Sequence, residues 1–252
     1  MDLHVIGPLA SPAERAAVDA VLGPPESSWV GGARTRPVDG HAARGGHAAR
    51  ARRDLLIPAL HAVQSRIGWI SQPAINYVCR RLTVPPAEAW GVATFYALFA
   101  TTPRPPIVAH VCDDLACGLA GAEDVVRDLE RTVGPAGDAI AATADRAATW
   151  LRSPCLGLCE RAPAALVTIA GEEPRSTAIG PVDAVGIARR LRAGDERENG
   201  ADARAAVPQA GSPGLRLLAR AGVANPERLS DYRANGGYRA LERALRIGPA
   251  AV

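Results

Sequence analysis

SPCLGLCERAP, residues 153–163, puts Cys155 and Cys159 in a C-x3-C pair, with Gly157 between them and Pro154 and Pro163 near its ends. The chain holds only five cysteines. Two more, Cys112 and Cys117, form a C-x4-C pair in VCDDLACGLAG. Each pair directly follows an apolar run with strand character, PPIVAHVC before the first and AATWLRS before the second. If the two strands share a sheet and a direction, both loops leave at one rim and four thiols converge.

Around these pairs, GAEDVVRDLERTVG reads as a helix with Val126 and Leu129 inward, APAALVTIAG as a strand, RSTAIG as an edge strand after the GEEP turn, and PVDAVGIARRLRAG as a helix ending at Gly194. The order strand, helix, strand, strand, strand, helix predicts a four-stranded sheet with helices against it over residues 105–192, the outline of a thioredoxin-like domain. Before it, residues 51–104 carry helical periodicity. Leu56, Leu60, Val63 and Ile67 make one stripe, and Ser71 caps a helix with Ile75, Val78, Cys79 and Leu82 on one side. A third helix opens after VPP and runs through AEAWGVATFYALF. The fold class is therefore α+β, an N-terminal helical bundle followed by the sheet domain. Residues 1–50 form a variable leader, partly flexible, with one short helix in SPAERAAVDAVLG. Residues 193–213 are polar, rich in Gly, Ala and Pro, and read as a linker. In residues 214–252, GLRLLARAG reads as a strand and the remainder as one or two helices, too little for a core of its own.

Four thiolates gathered together repel one another and lose hydration, and a bound cation removes that cost. A structural zinc takes four thiolates in one tetrahedron, whereas a [2Fe–2S] cluster takes two on each iron. Redox or structural thiols without metal are a further reading, and spacing alone leaves all three open. Gly118, Gly121 and Gly157 let the backbone curve around a bulky group. Asp113, Asp114 and Glu160 favour a low reduction potential, partly opposed by Arg152 and Arg161. Cys79, alone on an apolar helix face, reads as a small buried hydrophobe.

Composition narrows the field. The 252 residues are 48% hydrophobic and 22% charged with net charge +3, an ordinary globular balance. RTRPVDGHAARGGHAARARR, Arg34–Arg53, holds six arginines and one acid but no aromatics, so a solvated leader is favoured over a nucleic-acid surface. No apolar run is long enough to cross a bilayer, and no secretory signal opens the chain. An odd cysteine count argues against a disulfide scaffold and for reduced thiols in the cytoplasm. GGARTRPVDGHAARGG lacks the strand context and spacing of a dinucleotide loop. A C-x-x-C thiol enzyme is excluded by both spacings.

From RRDLLIPALHAVQSRIGWIS through AINYVCRRLTVPPAEAWGVATFYALF to CDDLACGLAG and CLGLCERAPAALV, residues 50–192 resemble the small [2Fe–2S] subunit of the NADH-dehydrogenase, or diaphorase, module of respiratory complex I, NAD-linked hydrogenases and formate dehydrogenases. The resemblance implies a thioredoxin-like [2Fe–2S] ferredoxin domain, with Cys112, Cys117, Cys155 and Cys159 as the cluster ligands. It implies electron transfer through or beside that cluster, next to a flavoprotein subunit or fused domain holding FMN, the NADH site and a [4Fe–4S] cluster. Further iron–sulfur and substrate-oxidising or quinone-reducing subunits complete such an assembly. The segment alone is then not expected to be catalytic. Its expected location is cytoplasmic, at most peripheral on the inner face of the membrane through a larger complex, without membrane insertion or nucleic acid. LLARAGVANPERLSDYRANGGYRALERAL, Leu217–Leu245, is similar to the opening of that flavoprotein subunit, which implies the front part of a natural fusion or a small subunit with a docking tail. TADRAATW departs from the Asp-Gly turn of many relatives at Asp145–Arg146. The alternative is a zinc-stabilised structural or nucleic-acid-binding module.

Overall fold

A computed structural model describes residues 7–25, 50–142, 146–193, 214–220, 223–225 and 228–252. The chain divides into two compact units, Met1–Glu196 and Arg197–Val252, and residues 194–213 of the stretch read as a linker lie outside the described residues. The arginine-rich leader up to Ala49, Asp145 and the helix end at Gly194 lie outside the described residues.

The first unit opens with α1 (Pro12–Leu22), started by a capping box in which the Ser11 hydroxyl accepts from the Glu14 N–H while the Glu14 carboxylate accepts from the Ser11 N–H. α2 (Leu56–Ile67) ends at Gly68, whose left-handed φ of 100° suits glycine. α3 (Gln72–Leu82) is capped by Ser71, whose hydroxyl accepts from the Ala74 N–H at 3.1 Å. α4 (Pro86–Phe95) follows Pro85. Val18, Leu60, Val63, Ile75 and Val78 are buried together at the centre of these helices. Buried polar links lock α1 to α3: Ser71 donates to Glu14, and Asp19 takes both the Tyr77 hydroxyl and the Arg81 guanidinium.

The sheet follows as β1 (Ile107–Cys112), α5 (Leu115–Leu119), α6 (Ala122–Thr132), β2 (Ile140–Ala141), β3 (Ala147–Ser153), β4 (Ala165–Ile169), β5 (Arg175–Ile179) and α7 (Ala184–Ala193). Five strands lie in the order β2-β3-β1-β4-β5, one more than the sequence predicts. The additional strand is two residues long, antiparallel to β3 through Ile140 and Ala141, too brief to show alternation in GPAGDAIAA. β1 runs parallel to β3 and antiparallel to β4. As a central strand it is buried along its whole length, and its residues are apolar except for His110.

Alternation divides the two faces of the sheet. Ile107, Ala109, Val111, Trp150, Val167 and Ile169 form a core with Val126 and Leu129 of α6 and Ile187 and Leu191 of α7. Trp150 also donates its indole N–H to the Gly134 carbonyl at 2.9 Å. The opposite face, with Val108, His110, Leu166 and Thr168, meets the helical part. There Gly171 N–H donates to the Ser65 carbonyl at 3.0 Å and Arg66 pairs with Glu172 at 2.6 Å.

In the second unit, residues 214–220 form turns rather than the expected strand, and Leu217 is fully exposed. A strand needs a ladder partner, and none is described for it. Two short helices, α8 (Leu229–Ala234) and α9 (Arg239–Ile247), complete the unit. Among the described residues no helix is long and apolar enough to cross a membrane.

Candidate metal centre

Parallel pairing of β1 with β3 sets Cys112 opposite Ser153, so both strands end at the same rim and the two cysteine loops leave side by side. The end of β1 is held on both flanks: Cys112 N–H donates to the Ala164 carbonyl at 3.0 Å and Asp113 N–H to the Ser153 carbonyl at 3.2 Å. Cys117 sits in α5, whose N-cap is Asp114. Cys159 begins a 3₁₀ turn, Cys159–Arg161.

The four sulfurs fall into two pairs of different exposure. Cys112 and Cys117 are buried, with Ala122 and Ala164 around them, and their sulfurs are hydrogen-bonded. Cys155 and Cys159 are exposed, their sulfurs 3.5 Å apart. Two sulfurs on one tetrahedral ion, with bonds of about 2.3 Å, lie roughly 3.7 Å from each other. The outer pair therefore already has the spacing of two ligands on one metal. Gly157 N–H points at the Cys155 sulfur at 3.4 Å, from a left-handed φ of 77° that only glycine adopts at little cost. Burial, then the bond to Cys112, raise the Cys117 thiol to about 11. The neighbouring Cys155 raises Cys159. Charge interactions link Cys159 to both inner thiols, so the pairs share one neighbourhood. Among the described residues no group of three or more His, Cys, Asp or Glu side chains closes around a single ion. The donor set at this rim is all sulfur, an inner buried pair and an outer exposed pair, a chemistry that suits thiolate-bound metal.

Two contacts join the loops and escape sequence reading. One Asp114 carboxylate oxygen accepts from the Cys155 N–H at 3.1 Å while the other accepts from the Leu115 N–H at 2.8 Å. Arg152, near the end of β3, bonds Asp113 at 3.0 Å and Glu123 of α6 at 2.7 Å. These bonds raise Arg152 and lower Glu123 from their ordinary values. Nothing local marks such partners, because they lie 41, 39 and 29 residues apart. Leu115 and Leu119, on either side of Cys117, are 83% and 93% exposed, an apolar rim that periodicity also did not signal. Cys79 lies in the helical core, away from the thiol group, and burial pushes it up to about 12.

Residues 44–173 match the family described as thioredoxin-like [2Fe-2S] ferredoxin. An NADH-quinone oxidoreductase subunit of Pseudomonas aeruginosa is 35% identical over 111 residues, 44% of this chain and 66% of that protein. A second NADH-quinone oxidoreductase subunit, from Thermus thermophilus, is 32% identical over 147 residues, 58% of this chain and 78% of that protein. The NAD+-reducing [NiFe]-hydrogenase in the air-oxidized state superposes on 57% of this chain and 24% of its own, with 24% identity and a TM-score of 0.42, too loose for any argument to rest on. The family match spans more than half of the chain, and with the two curated relatives it establishes that this protein belongs to the thioredoxin-like [2Fe–2S] ferredoxin family.

Proposed function

We propose that Cys112, Cys117, Cys155 and Cys159 hold a [2Fe–2S] cluster and that the protein carries single electrons within an NADH:acceptor oxidoreductase module, beside a flavoprotein holding FMN, the NADH site and a [4Fe–4S] cluster. The observation that carries this reading is the shared rim of parallel β1 and β3, where four thiols gather as two pairs. When bound, such a cluster supplies one-electron chemistry, its charge cycling between −2 and −3.

The chain's own residues define the environment of that chemistry. The inner pair is buried and the outer pair exposed, which leaves one side of the centre near the surface. Gly157 N–H and Ala164 N–H donate to sulfurs and favour the more negative state. Arg152 pairs with both Asp113 and Glu123 nearby and offsets one of their two negative charges. Exposed Leu115 and Leu119 offer an apolar rim to a docking flavoprotein. The two NADH-quinone oxidoreductase relatives support NADH as the electron source of such an assembly. The hydride step belongs to the flavoprotein, since the glycine-rich GGARTRPVDGHAARGG lacks the spacing of a nucleotide loop.

Protein purified without oxygen should be red-brown, with about two iron and two labile sulfide per chain, and show a rhombic paramagnetic signal only after reduction. A colourless, iron-free chain loaded with one zinc would overturn the proposal.

A further inference from the structure

Between α2 and the second face of the sheet lies a cavity of about 290 Å³, outside the thiol site. Its floor is the β1 and β4 face bearing Val108, His110 and Thr168, its wall is α2 with His61 and Ser65, Arg104 reaches it from the segment before β1, and Arg175 lines it from the start of β5. No Asp or Glu lines it.

Two features mark it as more than a packing gap. His110 is 2% exposed, and its ring has no hydrogen bond among the described residues. Alternation along β1 turns it away from the α6 and α7 core and into the cavity, opposite Leu166 in the register. An imidazole carries at least one N–H, and a buried donor without an acceptor is costly. Arg104 is half-buried, and its guanidinium meets only carbonyl oxygens, Gly68 at 2.9 Å and Leu98 at 3.5 Å. No ion pair compensates it among the described residues. Of the two acids on the adjoining turn, Glu172 is committed to Arg66, and Glu173 is exposed and does not line the cavity. Gln64, also on this wall, is tied to the backbone: its amide N–H donates to the Leu98 carbonyl and its oxygen accepts from the Ala100 N–H, each at 2.8 Å. What remains unanswered is a cation and a donor facing the same space, and water fills the donor's need without balancing the charge.

We propose that this cavity is a binding site for a small carboxylate- or phosphate-bearing anion, held by Arg104 and by the ring N–H of His110. A space of about 290 Å³ accommodates inorganic phosphate or a short dicarboxylate. The bound anion bridges the helical part and the sheet, so it stabilises the first unit as well as filling the site.

The test is calorimetric titration of the full iron-loaded chain with inorganic phosphate and, separately, succinate at physiological ionic strength. One saturable site per chain is expected for at least one of the two, with a thermal midpoint that climbs with anion concentration. Arg104→Gln and His110→Leu should each weaken binding tenfold or more. Because Arg104 also ties the Gly68 and Leu98 carbonyls, His110→Leu decides the matter if Arg104→Gln does not fold. Absence of saturable binding by both anions, or unchanged affinity in a folded His110→Leu protein, overturns the site. Iron content and the reduced-state signal, recorded on the same samples, report on the cluster separately.

Discussion

Asp114 occupies the point where the two thiol loops touch, one carboxylate oxygen on its own helix start and the other on the Cys155 N–H. It is exposed, so the bond across the loops contributes about 0.5–1 kcal/mol. Asp114→Ala should release iron to a chelator roughly two- to fivefold faster, with Asp114→Asn intermediate because its single oxygen answers only one N–H. Equal rates in all three proteins would mean that Asp114 does not hold the loops together. Cys79 behaves in the opposite way, inert inside the helical core. Its folded value is raised from 9.0 to about 12, so the unfolded chain gives up this proton first. The stability linked to Cys79 is whole below pH 9.0 and is lost as pH rises toward about 12. Urea unfolding should show wild type losing about 1 kcal/mol more than Cys79→Ala between roughly pH 8 and pH 10. Identical pH dependence in the two would contradict a buried, protonated Cys79.

At the scale of elements, α4 buries Ala89 and Ala93 and leaves Trp90 and Phe95 outward, 46% and 80% exposed. Phe95 stands edge-on to Tyr96, itself edge-on to Phe99, with ring centroids 5.2 and 5.9 Å apart. Phe99 belongs to the buried core, while Trp90, Phe95 and Tyr96 stand in solvent, and such an exposed aromatic row suits partner anchoring better than core filling. Trp90→Ala and Phe95→Ala should keep folding stability within about 1 kcal/mol and weaken capture of an FMN-binding flavoprotein roughly tenfold. Undiminished capture by the folded double variant would remove this ridge from the contact. The helices were legible because their apolar residues recur at helical spacing and Ser71 marks a start, whereas the caps at Ser11 and Gly68 emerged only from the structure. β2 was not, since two residues carry no period, and the segment at Leu217 misled because an apolar run says nothing about whether a neighbouring strand exists. The thiols were legible through their rarity and their position after two strands. The Asp114 and Arg152 clasps were not, because parallel pairing across dozens of residues creates them.

Taken whole, the first unit is a scaffold in which helices and sheet share one chain segment, Met1–Glu196, and the thiol rim lies at the ends of its two parallel strands. The core on one face, with Trp150, Leu129 and Leu191 fully buried, fixes the sheet, and the sheet fixes the distance between the loops. That division of labour lets the loops be rich in glycine and small residues without loosening the centre. The most direct measurement is diffraction from crystals of the oxygen-free protein at the iron absorption edge, with the zinc edge as control. The account predicts two iron peaks, one nearest Cys112 and Cys117 and the other nearest Cys155 and Cys159. One zinc peak shared by all four sulfurs, or no metal between the loops, would contradict it.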